Sequence, residues 1–176
     1  MLPGSRPTFE VLEPMTPAPE SAQLLIRARR TALEALSEYP QPLNPLILPG
    51  SVIGHNGVLV YLLAGTRRSG VAVLGRHFRV LVSPDGNRVA KLDPLSKGII
   101  EIPLEPPGQP GAEIAALTVT HLVTEHPMET HVFASLLYKR PIYVATLRGD
   151  WLIEGDRISL MRAHFPSKRW QRGGRT

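Results

Sequence analysis

The chain has 176 residues, of which 43% are hydrophobic, with a mean hydropathy of −0.03 and a formal charge of +5. This is enough chain for one domain with a sizeable core, and the composition excludes a disordered polymer. There is no cysteine, so disulfides, thiolate chemistry and cysteine-based zinc sites are excluded, and no apolar run reaches the roughly 18–20 residues that a membrane-spanning helix needs.

Residues 1–19 form an extended lead punctuated by proline. The lead lacks the basic and apolar regions of a signal peptide and looks like the spacer that follows a removed signal or lipid anchor. This favours a periplasmic or secreted location, with the cytoplasm as the alternative. Residues 20–38, ESAQLLIRARRTALEALSE, predict the first helix. Leu25, Ala28, Ala32 and Leu36 recur at helical spacing, and Ile26 and Leu33 widen the stripe. Tyr39-Pro40 ends it, because the residue before proline avoids the helical region. QPLNPLILPG cannot be a central strand, since proline lacks the ladder donor. It predicts an ordered loop anchored by Leu46, Ile47 and Leu48.

From Gly57 the period changes. Residues 58–65 predict a short buried strand, preceded by a turn at Gly54 and Gly57. Residues 71–83 predict one strand bent near Gly75, with Phe78, Val80 and Val82 on one face. Pro84-Asp85-Gly86-Asn87 is a turn, RVAKLD returns as a strand, and IIEIPL is another. The Pro/Gly loop 105–113 separates two halves. Residues 114–124 predict a strand. A second helix follows Pro127, with Val132, Phe133, Leu136 and Leu137 inward, and it ends at Arg140-Pro141. IYVATL, WLIEG and RISLM predict three closing strands. The pattern is an α+β domain over residues 20–161, with a mainly antiparallel sheet, an N-terminal helix and a second helix packed on it.

VTEHPMETHVF holds the densest group of chemically capable side chains. Glu125, His126, Glu129 and His131 stand close together, with His121 upstream. His121, His126 and His131 are candidate metal ligands, and with Glu129 they give a metal-dependent enzyme as one alternative function. The spacing misses both zincin orders, H-E-x-x-H and H-x-x-E-H. The structural reading places His126 at a helix N-cap, Pro127 at the first position and Glu129 at the third, reaching back to free N–H groups. Neither a G-x-S-x-G elbow nor a phosphate-binding glycine loop is present. No cofactor is implied.

The charge is uneven. Residues 162–176 hold five of the 20 basic residues and no acid, so the rest of the chain is balanced. This basic tail, through Lys168, Arg169, Trp170, Arg172 and Arg175, gives nucleic-acid binding as a second alternative. The leading expectation is a non-catalytic binding protein whose partner is another protein, of the inhibitor or immunity type found in bacterial envelopes. Its contact residues would lie in loops: Arg67 and Arg68, the 105–113 loop, Arg140, and the group Glu125, His126, Glu129 and His131. Edge-strand pairing is a further route to a partner.

Overall fold

The protein is described here by a computed structural model covering residues 16–109 and 111–164. Among these residues the chain runs through α1 (Glu20–Glu34), β1 (Leu43–Pro49), a 3-10 turn (Gly50–Ile53), β2 (Val58–Ala64) and β3 (Val71–Gly75). It continues through β4 (Phe78–Val82), β5 (Val89–Pro94), β6 (Ile99–Pro103), β7 (Leu117–Thr120), α2 (Glu129–Tyr138), β8 (Ile142–Ala145), β9 (Gly149–Glu154) and β10 (Arg157–Ala163). The fold is α+β and mainly antiparallel. Its strands divide into three sheets, ordered β1-β2-β4-β5, β10-β9-β8-β7 and β3-β6. Each helix has its own sheet: α1 packs on the first, α2 on the second and on β3.

Helix α1 buries Ala28 and Ala32, whose small side chains let the helix approach the sheet closely. Opposite them lie Val58, Val60 and Leu62 of β2 and Phe78, Val80 and Val82 of β4, with Leu24, Leu33, Leu36 and Tyr39 at the margin. The stripe is therefore rotated from the predicted one. Leu24 packs inward, whereas Leu25 and Ile26 are 40% and 61% exposed. The helix stops at Glu34, and residues 35–38 form turns before Pro40.

The predicted loop at 41–50 is strand β1. It lies at a sheet edge, where Pro45 and Pro49 deprive no second neighbour of a hydrogen bond. Strand β2 is buried at every position because both faces are covered. Val58, Val60 and Leu62 meet α1, while Leu59, Tyr61 and Leu63 pack with Leu95 and Met128. That second cluster ties the first half of the chain to the entry of α2.

Residues 71–83 are two strands in different sheets, not one bent strand. The break falls at Gly75 and Arg76, with φ of +85° and +53°. A side chain at Gly75 would also collide with the Gly98 carbonyl oxygen, so only glycine fits this corner. Strand β3 leaves to pair with β6, and β4 rejoins β2. The second half is built on a parallel pair, β7 with β8, joined by α2 as the crossover. Strand β7 spans only part of the predicted 114–124. Leu117, Val119, Ala134, Ile142, Val144 and Ile153 form the core here, with Ala72 and Leu74 of β3. Among the described residues no helix is long and apolar enough to cross a membrane.

Candidate functional site

Helix α2 is turned about from the sequence expectation. Its buried residues are Thr130, His131, Ala134 and Ser135. Phe133, Leu136 and Leu137, predicted to face inward, are 36%, 54% and 54% exposed. The reason is backbone satisfaction, which hydrophobic periodicity does not register. The Ser135 hydroxyl donates to the Arg140 carbonyl at 2.9 Å and accepts the Gly155 N–H at 3.0 Å. The Tyr138 hydroxyl accepts the Val73 N–H at 2.8 Å. Ser135→Ala is expected to orphan part-buried backbone groups at both the helix end and the β9–β10 turn. The expected loss is about 1–3 kcal/mol, read by urea unfolding.

The cap lies two residues later than predicted, so neither His126 nor Pro127 occupies the expected position. Met128 is the N-cap and His131, not Glu129, is the third helical residue. His131 Nδ1 accepts the Met128 N–H at 2.9 Å, so an imidazole does what a glutamate does in a capping box. Glu129 turns to the first sheet instead. Its Oε1 accepts from the Tyr61 hydroxyl at 2.7 Å and from Arg79 Nη1 at 3.1 Å. Burial, and then the Glu129 carboxylate, push the Tyr61 phenol up to about 12.

His77, His121 and His131 line one cavity of about 90 Å³, between the β3–β4 corner, the end of β7 and the first turn of α2. They are 4%, 3% and 8% exposed. The rings of His121 and His131 meet edge to face, with centroids 4.9 Å apart. His77 Nδ1 accepts the Ala64 N–H at 3.0 Å. Burial holds His77 down at about 4. His131 is held at about 4 by burial and then by its histidine neighbours. His121 is lowered by burial as well. Both His77 and His131 are thus neutral near pH 7, with a backbone N–H fixed on Nδ1. The ring proton must then sit on Nε2, which removes the lone pair that a metal ion would use.

His126 lies apart from this group, against Trp151 at a ring-centroid distance of 5.4 Å. The sequence triad His121, His126 and His131 is therefore not brought together. Among the described residues no three His, Asp or Glu side chains converge in a geometry that could hold a metal. Glu125 is exposed and pairs with Arg148 at 2.9 Å. Arg67 is exposed and makes no ion pair among the described residues, while Arg68 pairs with Glu101. Arg140 donates through Nε to the Ile114 carbonyl at 2.8 Å and pairs with Glu113, which ties residues 113–114 to the end of α2. Lys168, Arg169, Trp170, Arg172 and Arg175 lie outside the described residues.

Sequence reasoning placed a strand at β10 but missed its surroundings. Strand β10 is the edge of its sheet, and all seven of its residues are exposed. Ile158, Leu160 and Met161 are 42%, 51% and 58% exposed. Ile158 stands opposite Ile153, and Leu160 opposite Trp151. Both therefore point to the side of the sheet that α2 covers, yet beyond its reach. Leu136 of α2 lies over Gly155 at the β9–β10 turn, extending the same apolar margin. Arg157 and Arg162 bracket the apolar centre. A hint existed in the sequence: RISLMRA carries apolar side chains between two arginines and no acid.

The fold and this margin define an α+β protein in which, among the described residues, one sheet ends on an apolar edge strand. Comparison of the chain with protein-family models, curated proteins and solved structures found no match to any of them.

Proposed function

We propose that the protein is a binding module that captures an extended segment of a partner protein along β10. The observation that carries this reading is the exposed edge strand with Ile158, Leu160 and Met161 at its centre. Free sheet edges are ordinarily short, charged at the centre, bulged or covered, because their unpaired N–H and C=O groups recruit other strands. Here the centre is apolar and the charges sit at the ends, and the register irregularity of the strand falls at Leu160–Arg162, which leaves the Arg157–Leu160 stretch regular. An added strand would gain main-chain hydrogen bonds from the edge and specificity from alternate side chains. Its apolar residues would meet Ile158, Leu160 and Leu136.

The bracketing arginines favour an acidic segment. They disfavour a second copy of this chain, since antiparallel self-pairing of β10 brings Arg157 of one copy towards Arg162 of the other. Like charges facing across strands are destabilising. The test is a displayed library of random linear peptides selected on the intact protein. The expected result is enrichment of β-forming sequences with acidic ends. Their binding is weakened by added salt and abolished by the paired change Ile158→Lys and Leu160→Lys. Both positions are exposed, so the variant keeps its core. Enriched peptides that bind this variant as well as the parent protein would place the partner surface elsewhere. Concentration-dependent dimerisation lost in the same variant would assign β10 to self-association.

A further inference from the structure

We propose that the cavity between the β3–β4 corner, β7 and α2 is a binding site for a small carboxylate anion. This is independent of the partner surface on β10. The cavity is lined by Ser96, Lys97, Thr120, Thr130 and the three histidines, with apolar walls from Leu74, Leu95, Ile100 and Val119. No Asp or Glu lines it.

Two of the three imidazoles that line the cavity present donors. His77 and His131 each spend Nδ1 as an acceptor for a backbone N–H, so each carries its proton on Nε2. Those Nε2–H groups make no hydrogen bond among the described residues, although the side chains are only 4% and 8% exposed. The Thr130 hydroxyl, on a side chain 7% exposed, makes none either. Neither Nε2 nor this hydroxyl is completely sealed from solvent-sized space. They can therefore donate to water or to an acceptor small enough to enter the cavity. Lys97 stands exposed at the mouth and makes no ion pair among the described residues.

Size selects the class. An engineered cavity of about 150 Å³ takes benzene, so a cavity of about 90 Å³ suits roughly four non-hydrogen atoms on that scale. Formate and acetate have this size. Each offers two acceptor oxygens to the imidazole donors and a negative charge to Lys97, and the methyl group of acetate suits the leucine and isoleucine wall. Charge-assisted hydrogen bonds of this kind are about twice as strong as neutral ones.

The test is a titration of the full chain with formate, acetate, inorganic phosphate and methylammonium. It is followed in ¹H–¹⁵N spectra tuned to histidine side chains. The expected result begins before any ligand, with His77 and His131 both in the Nε2–H form. Formate and acetate then shift those two signals saturably, and Lys97→Met weakens the binding about tenfold, the loss of one charged partner. Lys97 is exposed, so its replacement leaves the fold intact. Any one of four results would overturn the proposal: an Nδ1–H form of either ring, no saturable shift with carboxylates, binding of phosphate with the carboxylates silent, or unchanged affinity in Lys97→Met.

Discussion

Lowering the pH from about 7 to about 4 is expected to remove a large part of the folding free energy, and the loss begins near pH 6.5. His77 and His131 are held down at about 4 in the folded protein by burial, whereas an unfolded histidine titrates near 6.5. Between those values the unfolded chain binds more protons than the folded one. Stability therefore rises with pH through this window, is fully present above about 6.5, and is lost as pH falls towards 4. Each histidine contributes roughly 3 kcal/mol at the acid end, against a typical total of about 5–15 kcal/mol. Asp85 titrates in a separate window. The Ser83 hydroxyl and then the Asn87 N–H groups hold its carboxyl down at about 2, so its contribution is lost only below the ordinary carboxylate range. Urea unfolding across the pH series gives the curve, and histidine proton shifts give the sites. Two rings titrating near 4 are expected. An unfolding midpoint unchanged between about pH 6.5 and 4 would contradict the buried, neutral assignment.

The second large effect is expected from Leu59→Ala. Leu59 is fully buried on the face of β2 turned away from α1, packed with Tyr61, Leu63, Leu95 and Met128. Strand β2 sits inside its sheet and is covered on both sides, so little can collapse into the space that a lost side chain leaves. Leu→Ala at such a site costs about 2–5 kcal/mol. The cluster joins β2 to the residue that caps α2, so the loss also loosens the histidine cavity. Leu147→Ala, at a position 67% exposed, serves as the control and is expected to change stability by less than about 0.5 kcal/mol. Equal unfolding midpoints for the two variants would show that the β2 back face is not a packed core.

Most elements were legible because their hydrophobic period or turn chemistry was strong. The all-apolar run 58–64 reads as a buried strand, and Asp85-Gly86 reads as a turn. What failed did so where a backbone need outweighed side-chain hydrophobicity. At Gly75 and Arg76 the left-handed backbone splits what alternation alone joins into one strand. At 43–49 proline correctly barred a central strand, but an edge strand satisfies the same rule. In α2 the apolar residues Phe133, Leu136 and Leu137 stand at helical spacing, and so do His131, Ser135 and Tyr138. The second set won the interior because its side chains satisfy the Met128, Gly155 and Val73 N–H groups. The sequence held both stripes and could not rank them.

The candidate sites divide in the same way. Crowding with Glu125, His126 and Glu129 draws attention to His121 and His131 in the sequence, yet the third histidine of the cavity is His77. It arrives from a loop 44 positions before His121 in the chain, and no local motif could supply it. The edge β10 was legible as a strand, but its exposure depends on α2 stopping short of it, which is a property of the packing.

The most direct test of partner-strand capture is amide hydrogen exchange along β10, with and without a saturating acidic peptide from the selection. Slowed exchange within residues 157–163 is expected when the peptide is present, with no such slowing in the Ile158→Lys and Leu160→Lys variant. Unchanged exchange in β10, with new protection on the exposed face of α2 instead, would contradict it.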